Sequence, residues 1–302
     1  MKRGLMLATI SLSAILGAQA QSTDTAHVMV HYKFTHVRDT TNRQHPYTEN
    51  MVLLVGSSAS VYKSYDRQLQ DALFKKQLAD QKASSPDGSI KINRQSNASG
   101  TEYYQFPNEG KLFTRERLFN SYLIESSMPA MDWKITSDTA TFSGLKCQKA
   151  MAGYKGRTYT AWFCPDLPIH AGPWKLNGLP GVIVEAYDAK REVSFMFDGV
   201  EMVTPAPTVV KTASEPAIVL FGMDDVDANP DIIELPKNAI KTTESEFGKL
   251  KEAVRKNPEA FAQSMMAAQA ANMPGNGPKP ELKIKVAPAP VINNPIELPE
   301  NK

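Results

Sequence analysis

Residues 147–164 read CQKAMAGYKGRTYTAWFC, and this stretch decides the fold. Two runs of alternating residues flank Lys155-Gly156, the pattern of two antiparallel strands joined by a tight turn. With a two-residue loop at Lys155-Gly156, Tyr154 opposes Arg157 and, stepping outward, Cys147 opposes Cys164 as a non-hydrogen-bonded pair. Such pairs have Cα atoms about 4.5 Å apart, near the lower edge of disulfide geometry. A three-residue loop, Tyr154-Lys155-Gly156 with Gly156 left-handed, is also common; it shifts the register by one and sends the cysteines to opposite faces. The chain has only these two cysteines. A Cys147–Cys164 disulfide is the expectation in an oxidising compartment. The alternatives are two structural thiols, or a reactive Cys164 with His170 six residues on as its partner.

Outward from the hairpin, short β patterns recur. They include Tyr103 to Phe106, Leu118 to Glu125, Val182 to Asp188 and Val193 to Val203, separated by Gly or Pro. Even spacing of this kind predicts an antiparallel meander. Upstream, Val28, Val30, Tyr32 and Phe34 alternate with polar residues as a half-buried strand. Met51 to Val55 and Val61 to Tyr65 read as further strands. A helix is expected over about 66–81, with Leu69, Leu73 and Leu78 on one side, and a mobile polar loop over 84–100.

Downstream, Thr243-Glu244-Ser245-Glu246 is a capping box opening a helix, and Asn257-Pro258 opens a second. The expected class is mainly β within α+β: an open curved antiparallel sheet or partial barrel with a helical insertion and C-terminal helices. The β domain spans 21–242, a helical appendage 243–273, and a Pro-rich tail, read as disordered, 274–302.

Residues 1–20 carry a basic start at Lys2-Arg3, a short apolar run from Leu5 to Leu16, and the small-x-small site Ala18-Gln19-Ala20. That is the layout of a secretory signal peptide, with the mature chain starting at Gln21. The expected location is the periplasm or another exported site, association with the outer membrane included. No further stretch is long and apolar enough for a transmembrane helix, so no integral membrane segment is expected after processing. The full chain has 34 Lys+Arg against 32 Asp+Glu. Loss of Lys2 and Arg3 with the leader brings these into balance. Without a basic excess, no nucleic-acid partner is expected.

Several constellations hold residue types suited to chemistry. His27, His31, His36 and His45 fall early. On a straight strand His27 and His31 share a face but stand about 13 Å apart, too far for one metal. Asp225, Asp227, Asn229 and Asp231 begin like a calcium loop, yet Pro230 occupies the place of the turn glycine and Pro236 that of the closing glutamate. Met265, Met266 and Met273 fit a helix face better than a binding surface. No GxSxG, HExxH, Walker A, GxGxxG or CxxC pattern occurs. No cofactor, resident metal or catalytic residue is assigned.

The pentapeptide Asn177-Gly178-Leu179-Pro180-Gly181 is a turn. Pro180 and Gly181 suit the central positions of type II. Together with Cys147-Gln148-Lys149-Ala150, Gly156-Arg157, Ala161-Trp162-Phe163 and Gly172-Pro173, it resembles the GLPGLI family of exported Bacteroidetes proteins. Val182-Ile183 stands where that family commonly shows Leu-Ile. The resemblance implies export and carries over no catalytic residue. Trp162, Trp174, Arg157 and His170 are candidate ligand contacts, with Gly178, Leu179, Pro180 and Gly181 as a structural turn. The reading that results is an exported, non-catalytic binding or envelope-assembly protein that meets an envelope protein or a small ligand. A periplasmic hydrolase acting on envelope material, or a metal-binding envelope protein, are its rivals.

Overall fold

The computed structural model describes residues 23–84, 98–118, 120–204, 231–261, 263–264 and 291–300. The expected leader, most of the 84–100 loop, the Asp225–Asn229 part of the calcium-like loop, Met265, Met266, Met273 and the start of the Pro-rich tail lie outside these residues.

The strands are β1 (Asp24–Thr25), β2 (Val28–His36), β3 (Tyr47–Val55), β4 (Ser60–Ser64), β5 (Glu102–Phe106), β6 (Lys111–Arg117) and β7 (Ser121–Ser127). They continue as β8 (Lys134–Phe142), β9 (Leu145–Tyr154), β10 (Arg157–Cys164), β11 (Val182–Asp188), β12 (Val193–Met202), β13 (Ile232–Ile233) and β14 (Ile240–Thr242). Helix α1 runs Tyr65–Ser84 and α2 runs Glu244–Lys256. Twelve strands form one sheet in the order β14-β7-β6-β5-β4-β3-β2-β12-β11-β10-β9-β8, while β1 and β13 pair separately. Every pairing in the large sheet is antiparallel except β14 on β7. The sheet is open and does not close into a barrel.

The hairpin takes the two-residue form. Lys155 and Gly156 both have positive φ, 45° and 68°, the type I′ signature whose twist matches the flanking strands. The ladder runs from Arg157↔Tyr154 to Phe163↔Gln148, so the next step outward sets Cys164 against Cys147. The expected disulfide is nevertheless not formed. Both cysteines are buried free thiols, 4.2 Å apart, where an S–S bond needs about 2.05 Å. The Cys147 thiol donates along its own strand to Leu145 O at 3.7 Å. A bulge between Trp162 and Phe163 shifts the β10–β11 pairing just before Cys164.

The centre of the sheet is covered on both faces. Met51, Leu53 and Val55 of β3 enter one core with Tyr32, Tyr159, Phe163, Ile183 and Phe195. Val52 and Leu54, one pleat away, enter a second core with Val61, Tyr104, Phe106 and Ile233. That is why this strand is a continuous apolar run: neither of its faces meets water. Hydrophobic burial of this kind is worth on the order of 2 kcal/mol per large side chain.

The helices and the chain end depart from simple expectation. On α1 Phe74 is buried, while Leu69 and Leu73 are 46% and 62% exposed, so these two leucines do not face the core. Helix α2 has its capping box: the Thr243 side chain accepts from Glu246 N, and the Glu246 carboxylate accepts from Thr243 N. It buries Phe247 against Tyr122 and Ile124. The last described stretch, residues 291–300, differs from the reading of a disordered tail over 274–302. Residues 291–300 are bound to the body of the sheet, because Arg157, His36 and Lys175 supply fixed partners for their polar groups.

The Pro180 turn also differs in detail. Gly181 N donates to Leu179 O at 2.8 Å, and Val182 N turns to Leu167 O at 3.1 Å. The turn therefore closes over three residues rather than the four of a β-turn, a γ-type closure at Pro180. Gly181 has φ 147°.

Candidate functional site

Two rows of side chains on neighbouring strands create a cavity of about 150 Å³. Phe34 and His36 alternate on β2, and Arg38 continues that row just beyond the strand. Tyr47, Glu49 and Met51 alternate on β3. The register sets Phe34 opposite Glu49 and His36 opposite Tyr47, so both rows point to the same face. Phe195 of β12 lies opposite Phe34, and Tyr62 of β4 lies opposite Tyr103 of β5. Each strand thus adds one ring to a continuous aromatic wall.

Trp174 completes that wall from the connection between β10 and β11. Its ring stacks on Phe195 at 6.4 Å and meets Tyr154 edge-on at 5.5 Å. Its backbone is held at φ 56°, a conformation uncommon outside glycine. The Gln105 amide fixes the turn by donating to Trp174 O at 3.1 Å and Gly172 O at 3.3 Å.

Polar groups are few and mostly committed. Glu49, 5% exposed, accepts from Ser64 Oγ at 2.5 Å and Ser99 N at 2.6 Å, and from the Tyr47 hydroxyl. Burial, reinforced by the Glu49 carboxylate, pushes the Tyr47 phenol up from its ordinary pKa. The Arg38 guanidinium lies 3.4 Å over the Tyr47 ring, a cation–π contact that roofs one side. Tyr62 differs from these. It is 2% exposed, lines the cavity, and its hydroxyl has no hydrogen-bond partner among the described residues. A buried hydroxyl left unpaired costs about 1–3 kcal/mol.

His36 is held neutral. Burial lowers its pKa to about 4, helped by the Arg38 and Arg157 charges. Its Nε2 lies 2.8 Å from Asn294 O. A carbonyl only accepts, so Nε2 carries the hydrogen.

The C-terminal segment forms the remaining wall through Ile296. Arg157 anchors it. Nε donates to Ile296 O at 2.9 Å, and Nη2 donates to Asn294 Oδ1 at 2.7 Å and Pro295 O at 2.8 Å. On its other side Nη1 meets Asp188 at 2.7 Å and Glu192 at 3.3 Å. Asp188 in turn accepts from Glu192 N and Val193 N. The guanidinium therefore joins the β11–β12 turn to the chain end, and its buried charge is matched on the spot.

The sequence-derived candidates divide accordingly. Trp174 lines the cavity, and Arg157 sits beside it beneath Ile296. Trp162, one pleat away from Ala161 and Phe163, packs on Phe142 at 6.0 Å, outside the cavity. His170 is exposed in the β10–β11 connection, whereas Cys164 is fully buried. Gly178 to Gly181 shape the turn that returns the chain to β11. His27 and His31 have separate partners, Ser57 at 3.2 Å and Glu201 at 3.1 Å. Among the described residues no group of three or more His, Cys, Asp or Glu could hold a metal. The residues that sequence reasoning missed are Glu49, Tyr62 and Ile296. The period-two rows Phe34/His36 and Tyr47/Glu49/Met51 were the available signal.

Residues 146–185 match the model of a family described as a protein of unknown function, Porph_ging. That span holds the hairpin, Trp174 and the Pro180 turn, and the match is consistent with a Bacteroidetes-type family. No curated protein matches the chain. Among solved structures it is similar to PNGF-II in a P21 crystal form, at 11% identity and TM-score 0.46 over 76% of this chain. It is also similar to a C2 form of PNGF-II, at 10% identity and TM-score 0.45 over 74% of this chain. The chain spans about a third of the length of those structures, 33% and 32%.

Proposed function

We propose that the protein is an exported, non-catalytic binding protein of the cell envelope, of GLPGLI type, and that the aromatic cavity is its ligand site. The observation that carries this is the Tyr62 hydroxyl, buried beside the rings of Phe34, Tyr47, Tyr103, Trp174 and Phe195 and without a hydrogen-bond partner among the described residues. An apolar concavity with a few convergent polar groups is the usual form of a small-molecule site. The ligand is a small molecule with a ring or branched apolar body and one hydrogen-bonding group that meets Tyr62. Glu49 favours binding over turnover, because its carboxylate is occupied by three donors and anchors the wall instead of moving a proton. Export rests on the leader over residues 1–20 and on the family resemblance.

The test is native mass spectrometry, without reductant, of protein recovered from its own cell envelope. The expected species starts at Gln21 and carries a small non-covalent mass that Trp174→Ala loses and Tyr62→Phe weakens about tenfold, the value of one buried hydrogen bond. A bare chain in all three samples would sink the reading.

A further inference from the structure

Residues 293–298, Asn-Asn-Pro-Ile-Glu-Leu, are held in the way a bound peptide is held. Asn293 N and Asn294 N both donate to Arg38 O, at 3.1 and 3.0 Å. The Asn294 amide is read in both directions: Nδ2 donates to Val37 O at 2.8 Å and Oδ1 accepts from Arg157 at 2.7 Å. Pro295 has no N–H to satisfy, and its carbonyl accepts from Arg157. Ile296 enters the aromatic cavity, and Glu297 meets Lys175 Nζ at 2.6 Å. Leu298 N closes the set by donating to Lys155 O at 3.0 Å, on the type I′ turn. The asparagine side chains, the Asn294, Pro295 and Ile296 carbonyls and the Glu297 carboxylate each have a complement on the groove, and Ile296 lines the pocket. This is recognition of a particular sequence.

The segment reaches its seat at the end of residues 265–290. A connection of that length spans up to on the order of 80 Å. None of the contacts requires the segment and the groove to belong to one chain. We propose that the groove also takes residues 293–298 of a second copy of this chain, so that molecules exchange C-terminal clasps. Reciprocal exchange keeps every contact in both seats, which makes it a low-cost route to a dimer. A chain's own segment competes with a foreign one for the same seat, so the intramolecular seat prevails in dilute solution and exchange grows with concentration. Ile296 is shared with the cavity, but exchange is read from the conjugates and ligand binding from the bound mass, so the failure of one leaves the other standing.

The 2.6 Å separation of Lys175 Nζ and Glu297 Oε1 provides the test. Unlabelled and 15N-labelled full-length chains are co-incubated, then coupled with a water-soluble carbodiimide, which joins an amine to a carboxylate without a spacer. Digestion and mass spectrometry should show Lys175–Glu297 conjugates with one labelled and one unlabelled half, approaching about half of all conjugates at full exchange. Their appearance should slow on dilution. Asn294→Ala, which removes the two-way amide contact, should speed it at least about tenfold, the kinetic equivalent of one charge-assisted hydrogen bond. Only same-label conjugates, no conjugate at all, or a rate indifferent to Asn294→Ala would overturn the proposal.

Discussion

Gly181 sits where the chain has no room for a side chain. A Cβ there would stand 2.2 Å from Cys164 O, and that oxygen is fixed by accepting from Leu167 N at 3.2 Å. The backbone φ of 147° adds strain for any other residue. Gly181→Ala is therefore expected to cost more than about 3 kcal/mol, read as a fall in the urea midpoint. Gly178→Ala is the internal comparison. Its φ of 88° is also positive, but a Cβ there meets nothing nearer than Trp133 at 3.9 Å, so the cost should be about 1 kcal/mol. Equal losses for the two variants would contradict the close approach. Cys147, which faces that cysteine across the hairpin, yields a second prediction. Burial, with Cys164 alongside, pushes the Cys147 thiol up to about 12. Thiolate is the reactive form, so iodoacetamide at pH 8 should leave Cys147 unmodified in the native protein and label both cysteines after denaturation. Labelling of the folded chain at the rate of a free thiol would contradict this.

Among the elements, the hairpin was legible because its information is local. Lys155-Gly156 demands positive φ at two successive positions, and the alternation on either side then fixes every opposed pair. The sequence could not separate two-residue from three-residue loops, since Gly156 satisfies both; the left-handed Lys155 decides for the shorter one. The C-terminal segment was illegible for the opposite reason. Its partners lie 137 positions away at Arg157 and 258 positions away at His36, and nothing in a Pro-rich composition signals a fixed seat. The α1 leucines misled because helical spacing marks a stripe but does not say what covers it. The turn and the clasp meet at Gly156, where a Cβ would stand 2.8 Å from both Leu298 Cβ and Pro299 O. Gly156→Ala should therefore strain the turn by about 1 kcal/mol and also lift the clasp. Limited proteolysis is expected to release peptides from 291–300 far sooner than in the parent chain, while the sheet core stays protected. Unchanged cleavage there would mean the clasp does not bear on the turn.

Across the whole molecule, the sheet places its charge where its distant parts converge. Two apolar cores cover its faces, and the Arg157 cluster joins the β11–β12 turn, the hairpin and the chain end at one edge of the cavity. His36 belongs to that cluster, facing Asn294, Arg38, Arg157 and Asp188. Its pKa of about 4 in the folded chain lies below its ordinary value of 6.5. Between these two values the unfolded chain binds a proton that the folded chain refuses, so stability falls as pH drops from about 6.5 toward 4. Below that window this histidine contributes no further slope. The loss from this one group is on the order of 2 kcal/mol, allowing for partial screening. Glu192 and Glu102 act in a lower range. Burial raises both, but Arg43 and Arg157 for the first, and Arg115 and Arg117 for the second, more than offset it and hold them below the usual carboxylate value. Their contribution is present above about 4.5 and disappears as pH falls further. Burial pushes the Glu185 carboxyl up, which gives a slope of the opposite sign above about 4.5, so the His36 share is the difference between the parent chain and the His36→Gln variant. Urea unfolding at steps from pH 6.5 to about 4.5 should show a falling midpoint in the parent chain. His36→Gln, which keeps an N–H for Asn294 O and cannot take the proton, should flatten that slope. Proteolytic release of 291–300 should accelerate over the same interval in the parent chain alone, because the incoming proton charges the ring beside Arg38 and Arg157 and so loosens the clasp before the cores. Equal slopes in the parent chain and His36→Gln between pH 6.5 and about 4.5 would move the acid sensitivity away from this edge of the sheet.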